Sequence, residues 1–178
     1  MLMVISSKLL LSLENKGKDM DKKIVYSSGV LETKYHAFNK FHADFGNGFY
    51  CTKFKDQAKK WAKTKARRSR STKNAIINSY RFIDSDELKI LKFESMSEEW
   101  LDFIIACRTG NNHDYDIVEG PMVDDTIFTY VNDFVKDEIS KKAFWALVEF
   151  KHPTHQISFH TDKSLKYLKF EGSEVLDD

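Results

Sequence analysis

The stretch DFGNGFYCTKFKDQAKKWA, Asp44–Ala62, decides how this chain is read. Two glycines, Gly46 and Gly48, punctuate a tight turn into a short strand, Gly48–Thr52, because glycine takes backbone conformations that a side chain forbids. Phe49 and Tyr50 open that strand. A flat ring there offers a face for another ring to stack on, and a neighbouring glycine lets a ligand approach the backbone closely. The plain structural alternative is a glycine-rich bulge with Phe49 and Tyr50 in the core. Phe54, Ala58, Trp61, Ala62 and Lys65 then recur at three- and four-residue steps among strong helix formers, which predicts a helix over Lys55–Ala66.

Outward from this segment, Ile24–Val30 reads as a strand, followed by a polar and aromatic loop through Ala43. Arg67–Asn74 is a basic loop, and Ala75–Phe82 alternates like a half-buried strand. Ser97 opens a helix whose apolar stripe is Trp100, Phe103, Ile104 and Cys107. Tyr115–Pro121 reads as a strand ending in a Gly-Pro stop, and two helical stretches parted near Lys136 come next. Gln156–Thr161 is a strand, Asp162 caps a short helix to Leu168, and KFEGSEVL closes as a final strand. Strands and helices mix without regular βαβ alternation, so the expected class is α+β with a split, mostly antiparallel sheet and flanking helices. No GxGxxG follows a strand and no GxxxxGK[ST] occurs, which argues against Rossmann and P-loop domains.

A chain of 178 residues suits one domain, here 23–178 behind an extension at 1–22. Hydrophobic residues make up 42%, with seven Gly and two Pro, which excludes collagen-like and low-complexity chains. Cys51 and Cys107 lack zinc-ligand spacing and cannot build a disulfide framework, as expected in a reducing cytoplasm. The opening MLMVISSKLLLSLENKGKDMDKK has no basic n-region and no cleavage site, and Lys8 interrupts its apolar run. It reads as a frayed amphipathic extension, or as a prelude to a start at Met20, rather than a secretory leader or a membrane span. Net charge is +1, yet Lys53–Lys73 carries ten cations against the single acid Asp56, a local +9. Such a run is either a footprint for a polyanion, with Lys59, Lys63, Arg67, Arg68 and Arg70 as nucleic-acid contacts, or a solvated helix face.

The motifs carry a resemblance as well. DFGNGFYCT with QAKKWA looks like the second motif of ADP-ribosyltransferases. Together with YDIVEGPMVDD and HQISFHT it resembles a bacterial domain-of-unknown-function family with the ADP-ribosyltransferase fold, over roughly Tyr26 to Leu168. The resemblance implies an NAD-consuming mono-ADP-ribosyltransferase of toxin-like or phage-defence type, restrained by an antitoxin or inhibitor protein and requiring no metal. It implies that Tyr50 stacks on nicotinamide, beside a cofactor-binding surface of Tyr26, Ser27, Ser28, Gly46, Gly48 and Phe49. Ser27 falls where the family carries histidine, and His36 is a second candidate for that role from the loop, or else a solvated loop histidine. Gln156 falls where glutamate stands in the eukaryotic enzymes. An amide orients a ribose hydroxyl but is no base, which favours single-unit transfer or a base from elsewhere. Asp116 and the pair Asp124–Asp125 are possible bases, although Asp124 or Asp125 equally suits a helix N-cap. Arg108 would hold the NAD pyrophosphate, or else caps its helix.

His155 and His160 alternate to opposite strand faces, which speaks against a metal site, and Ser27–Ser28 lack a nucleophile elbow. Trp61, Trp100 and Trp145 sit on apolar helix faces as core. The expected function is transfer of ADP-ribose to RNA or DNA. The alternatives are a protein target, or a degenerate fold that keeps only a nucleotide or polyanion pocket.

Overall fold

The computed structural model describes residues 22–28, 43–68, 74–123, 125–148 and 154–176, with backbone only for residues 22 and 125. In chain order the elements are β1 (Lys22–Ser27), β2 (Phe49–Cys51), α1 (Lys55–Arg68), β3 (Ala75–Ile83), β4 (Ile90–Lys92), α2 (Glu98–Arg108), β5 (Ile117–Gly120), α3 (Asp125–Val135), α4 (Lys141–Val148), β6 (Gln156–Phe159), α5 (Asp162–Leu165) and β7 (Leu168–Leu176). Among the described residues one sheet has the order β1-β3-β7 and the other β2-β6-β5-β4, with β4 and β5 the only parallel pair. Among the described residues the sheets meet at one bridge, where Tyr26 and Thr52 exchange both backbone hydrogen bonds at 2.8 and 2.9 Å. The domain is therefore α+β with a split, mostly antiparallel sheet, as the mixed order of elements predicts.

Alternation along the strands distributes the core into three clusters. Val25, Tyr80, Phe82 and Leu168 of the first sheet face Phe49, Cys51, Ile117, Ile157 and Phe159 of the second. The opposite face of the second sheet, through Val118, packs on Trp100, Leu101 and Ile104 of α2, Ile127 and Val131 of α3, and Phe144 and Val148 of α4. Helix α1 lays Ala58 and Ala62 against Ala75 and Ile77, where small side chains let helix and sheet come close. Each fully buried large apolar side chain contributes about 1.5–3 kcal/mol. These clusters, rather than any surface pair, hold the sheets together.

The boundaries follow local chemistry. Ser97 caps α2 by accepting from the Trp100 N–H, and Glu98 and Glu99 occupy the positive end of the helix dipole. The short helix α5 is capped by Thr161 rather than by Asp162. Thr161 accepts from the Ser164 N–H while the Ser164 hydroxyl accepts from the Thr161 N–H, and the helix ends at Leu165 instead of running to Leu168. Strand β4 has no signature in the sequence, because three residues are too few to show a period. Trp100 is fully buried, whereas Trp61 and Trp145 are only partly so. Among the described residues no helix is long and apolar enough to cross a membrane.

Candidate functional site

Strand register decides which of the expected residues meet. Tyr50 pairs with Ser158 and Cys51 with Ile157, so Tyr50, Ser158 and Gln156 share the face of the second sheet that looks on α2, α3 and α4. Tyr26 joins that face through the Thr52 bridge, although its ring packs with Ala58 and Ala62 under α1. Ser27, next along β1, has the parity of Val25 and turns the other way, toward the core between the sheets, where Asn78 is its pairing partner. Ser27 therefore lies on the strand face opposite to that of Tyr26, Tyr50 and Gln156. A period of two separates neighbours on a strand, and the bridge fixes which of them points where. Ser28 lies at the end of β1, its carbonyl accepting from Lys65 of α1.

The segment Asp44–Tyr50 folds back on itself. Gly46 has φ of +82°, which side chains rarely adopt, and the Tyr50 hydroxyl closes the turn by donating to Gly46 O at 2.7 Å and accepting from the Phe45 N–H at 3.0 Å. Phe45 is thereby driven, fully buried, into the helix-side core, and Phe49 faces the core between the sheets. Gly48 serves a different end from the one expected. A Cβ there would meet His160 Cε1 at 2.8 Å and Nδ1 at 2.9 Å, so the close approach is to this chain's own imidazole, not to a ligand. His160 donates from Nδ1 to Asn47 O and accepts at Nε2 from Ser158, and His113 donates from Nε2 to Phe45 O. Burial holds the His160 ring neutral down to about pH 4.

The three motifs converge on one carboxylate, Asp44. Its Oδ1 accepts from Arg108 Nη2 at 2.5 Å; its Oδ2 accepts from the Val123 N–H at 3.0 Å and from Gln156 Nε2 at 3.1 Å. Gln156 also donates to Pro121 O at 3.4 Å, which Trp100 Nε1 bonds at 3.0 Å. Asp44 and Arg108 expose only 11% and 12% of their side chains, and the guanidinium lies 4.5 Å over the Phe128 ring. Arg108 Nε and Nη1 are buried and bond nothing among the described residues. Two unspent donors on a largely buried cation fit a phosphate or carboxylate oxygen. Asp44 opens the quoted motif, yet its role is not visible in sequence. An acid ahead of a buried phenylalanine shows nothing locally of partners 64, 79 and 112 residues away.

Other expected residues lie elsewhere. Asp116 precedes β5 at the end opposite Gly120, the partner of Gln156, roughly 13 Å away at about 3.3 Å per residue. Its carboxylate accepts from the Lys89 N–H at 2.9 Å and the Thr161 hydroxyl at 2.6 Å. Burial works to raise the Asp116 pKa, but these bonds and Lys163 outweigh it and hold the pKa low. Asp116 is thus a bracket between loops, not the base beside Gln156. Asp125 begins α3, and its carboxylate, like Asp124, His36 and Arg70, lies outside the described residues. On α1, Lys63, Arg67 and Arg68 are exposed, while Lys59 pairs with Asp56 and Lys55 with Glu174. Gln57 of the same helix holds the start of β6 by a two-way amide pairing with the His155 backbone at 2.7 and 3.1 Å. His155 accepts at Nδ1 from the Lys53 N–H and so donates from Nε2 to buried Glu119 at 2.9 Å, on the sheet face opposite Gln156.

The fold and this cluster define an α+β domain of two joined sheets, with a part-buried Asp–Arg–Gln site against three helices. Within that class the chain belongs to the family described as "Protein of unknown function (DUF3990)", which matches residues 25–170. No curated protein and no solved structure matches the chain.

Proposed function

We propose that this protein is an NAD-dependent mono-ADP-ribosyltransferase acting on nucleic acid, with the toxin-like or phage-defence character and inhibitor partner that its motifs suggest. The observation that supports it best is that Tyr50 and Gln156, on paired strands, share one sheet face, beside which Asp44 holds a part-buried Arg108 that has two unspent donors. In this reading the Tyr50 ring bears on nicotinamide, Gln156 orients a ribose hydroxyl, and Arg108 holds the pyrophosphate. The bond from ribose C1′ to nicotinamide breaks, nicotinamide leaves neutral, and a nucleophile of the target attacks C1′ and gives up its proton to solvent. The exposed cations of α1 supply salt-sensitive attraction to a phosphate backbone.

One specific observation favours a second reading, a binding module that has lost transfer. Ser27 faces away from Tyr50, and both N–H bonds of Gln156 are spent inside the protein. Labelled NAD with separate pools of RNA, DNA and protein separates the two. The transferase reading expects label in nucleic acid that Tyr50→Ala abolishes, with folding checked by circular dichroism. Label in protein corrects the target. Nucleotide or nucleic-acid binding without nicotinamide release supports the module.

A further inference from the structure

Gln156 and Arg108 each keep unspent hydrogen-bonding capacity, and one carboxylate holds both. The neighbours of Gln156 Nε2, Asp44 Oδ2 and Pro121 O, are acceptors only, so chemistry alone fixes the amide with its N–H bonds toward them. Its Oε1 is therefore turned away from these two acceptors, in a residue only 3% exposed. Arg108 is fixed in the same way: Nη2 goes to Asp44, leaving Nε and Nη1 buried without partners among the described residues. Unmade bonds on buried polar atoms are costly unless a ligand makes them.

We propose that Asp44 is a positioning residue that sets Gln156 as acceptor and Arg108 as donor. Together they take a ligand carrying a hydroxyl near an anionic group, as a ribose phosphate does. The proposal rests on the transferase reading and deepens it: Asp44 supplies, one residue behind, the negative charge that an amide at position 156 lacks. It polarises the amide through its N–H, which enriches Oε1.

Charge and donor count make this testable. Wild type opposes one carboxylate to one guanidinium. Asp44→Asn removes the carboxylate and leaves one oxygen for three donors: its NH2 stands either against Arg108 Nη2 or against the Val123 and Gln156 N–H groups, so either Arg108 or Gln156 loses its positioning contact. Gln156→Glu alone sets two carboxylates about 3 Å apart, the spacing now held by their hydrogen bond. In the double variant Asp44→Asn/Gln156→Glu one carboxylate is restored, now at position 156. It accepts from the amide introduced at position 44, whose oxygen then faces Arg108, and again offers an acceptor oxygen, while the Val123 N–H gives up its partner and recovery stays incomplete. We expect each single variant to lose about 50-fold or more in NAD-dependent nicotinamide release, and the double variant to return to within about tenfold of wild type. Full activity in either single variant, or a double variant as poor as the worse single one while still folded, overturns the proposal. A wild type without turnover defeats the transferase reading instead, and Asp44 is then judged on the melting temperatures of the four proteins. A double variant melting about 5 °C or more above the additive expectation supports the coupling, and strict additivity refutes it.

Discussion

Substituting Gly48 by alanine tests the account of the segment Asp44–Tyr50. The new methyl would stand 2.8 Å from His160 Cε1, 2.9 Å from Nδ1 and 3.3 Å from Phe159 O. The ring cannot swing aside cheaply, since Asn47 O holds Nδ1 at 2.7 Å, Ser158 holds Nε2 at 2.8 Å, and His113 packs edge-on with centroids 4.5 Å apart. Overpacking of this kind costs about 1–3 kcal/mol, and each hydrogen bond surrendered adds about 1 kcal/mol. Gly48→Ala should therefore cost about 2–4 kcal/mol, a fall of roughly 5–15 °C in Tm for a domain of this size. Urea denaturation monitored by tryptophan fluorescence gives the free energy, and the cycle with His160→Ala isolates the cause. Once the imidazole is gone, adding the methyl should cost less than about 1 kcal/mol. A Gly48→Ala protein within about 0.5 kcal/mol of wild type, or an undiminished penalty in the His160→Ala background, would refute the wedge.

His160 also leaves a mark on pH dependence. A solvated imidazole takes its proton near pH 6.5, but this ring stays neutral to about pH 4. The unfolded chain thus binds the extra proton first, so the stability from His160 is whole above pH 6.5 and drains away toward pH 4. His160→Gln should flatten that part of the stability profile, and an unchanged slope would contradict the buried ring. Asp116→Ala should cost about 2–3 kcal/mol by orphaning the Lys89 N–H and the Thr161 hydroxyl, with any loss of activity tracking the loss of fold. Tyr50→Phe should cost about 1–2 kcal/mol through the turn it closes; no change in denaturant midpoint would mean that the hydroxyl does not close it. Glutamates at Lys60, Lys63, Arg67 and Arg68 should weaken nucleic-acid binding and lower its log–log salt slope by roughly 0.7–0.9 for each phosphate no longer neutralised. An unaltered slope would make α1 a plain solvated face.

Much of the fold is legible locally. Helix α1 begins at the predicted Lys55 and runs two residues beyond Ala66, since Arg67 and Arg68 continue a strong helix-forming run without adding to the apolar stripe. The Ser97 cap and the break near Lys136 fall where the turn chemistry puts them. The site is less legible. Gly48 signals a close approach without saying to what, and Asp116 sits in a motif with Gly120 yet at the other end of the strand.

By itself the sequence determined the class: alternation and helical period set which residues are strand or helix, and the absence of βαβ order excluded a doubly wound sheet. Only the tertiary structure decided the site. The Tyr26–Thr52 bridge turns Ser27 away from Tyr50, and the pairing of β2, β6 and β5 carries Gln156 and Val123 to Asp44 beside Arg108. The physical reason is one of range. Propensity and periodicity act over a few residues along the chain, whereas a buried carboxylate takes its partners from whatever segments the packed sheets bring within hydrogen-bond distance.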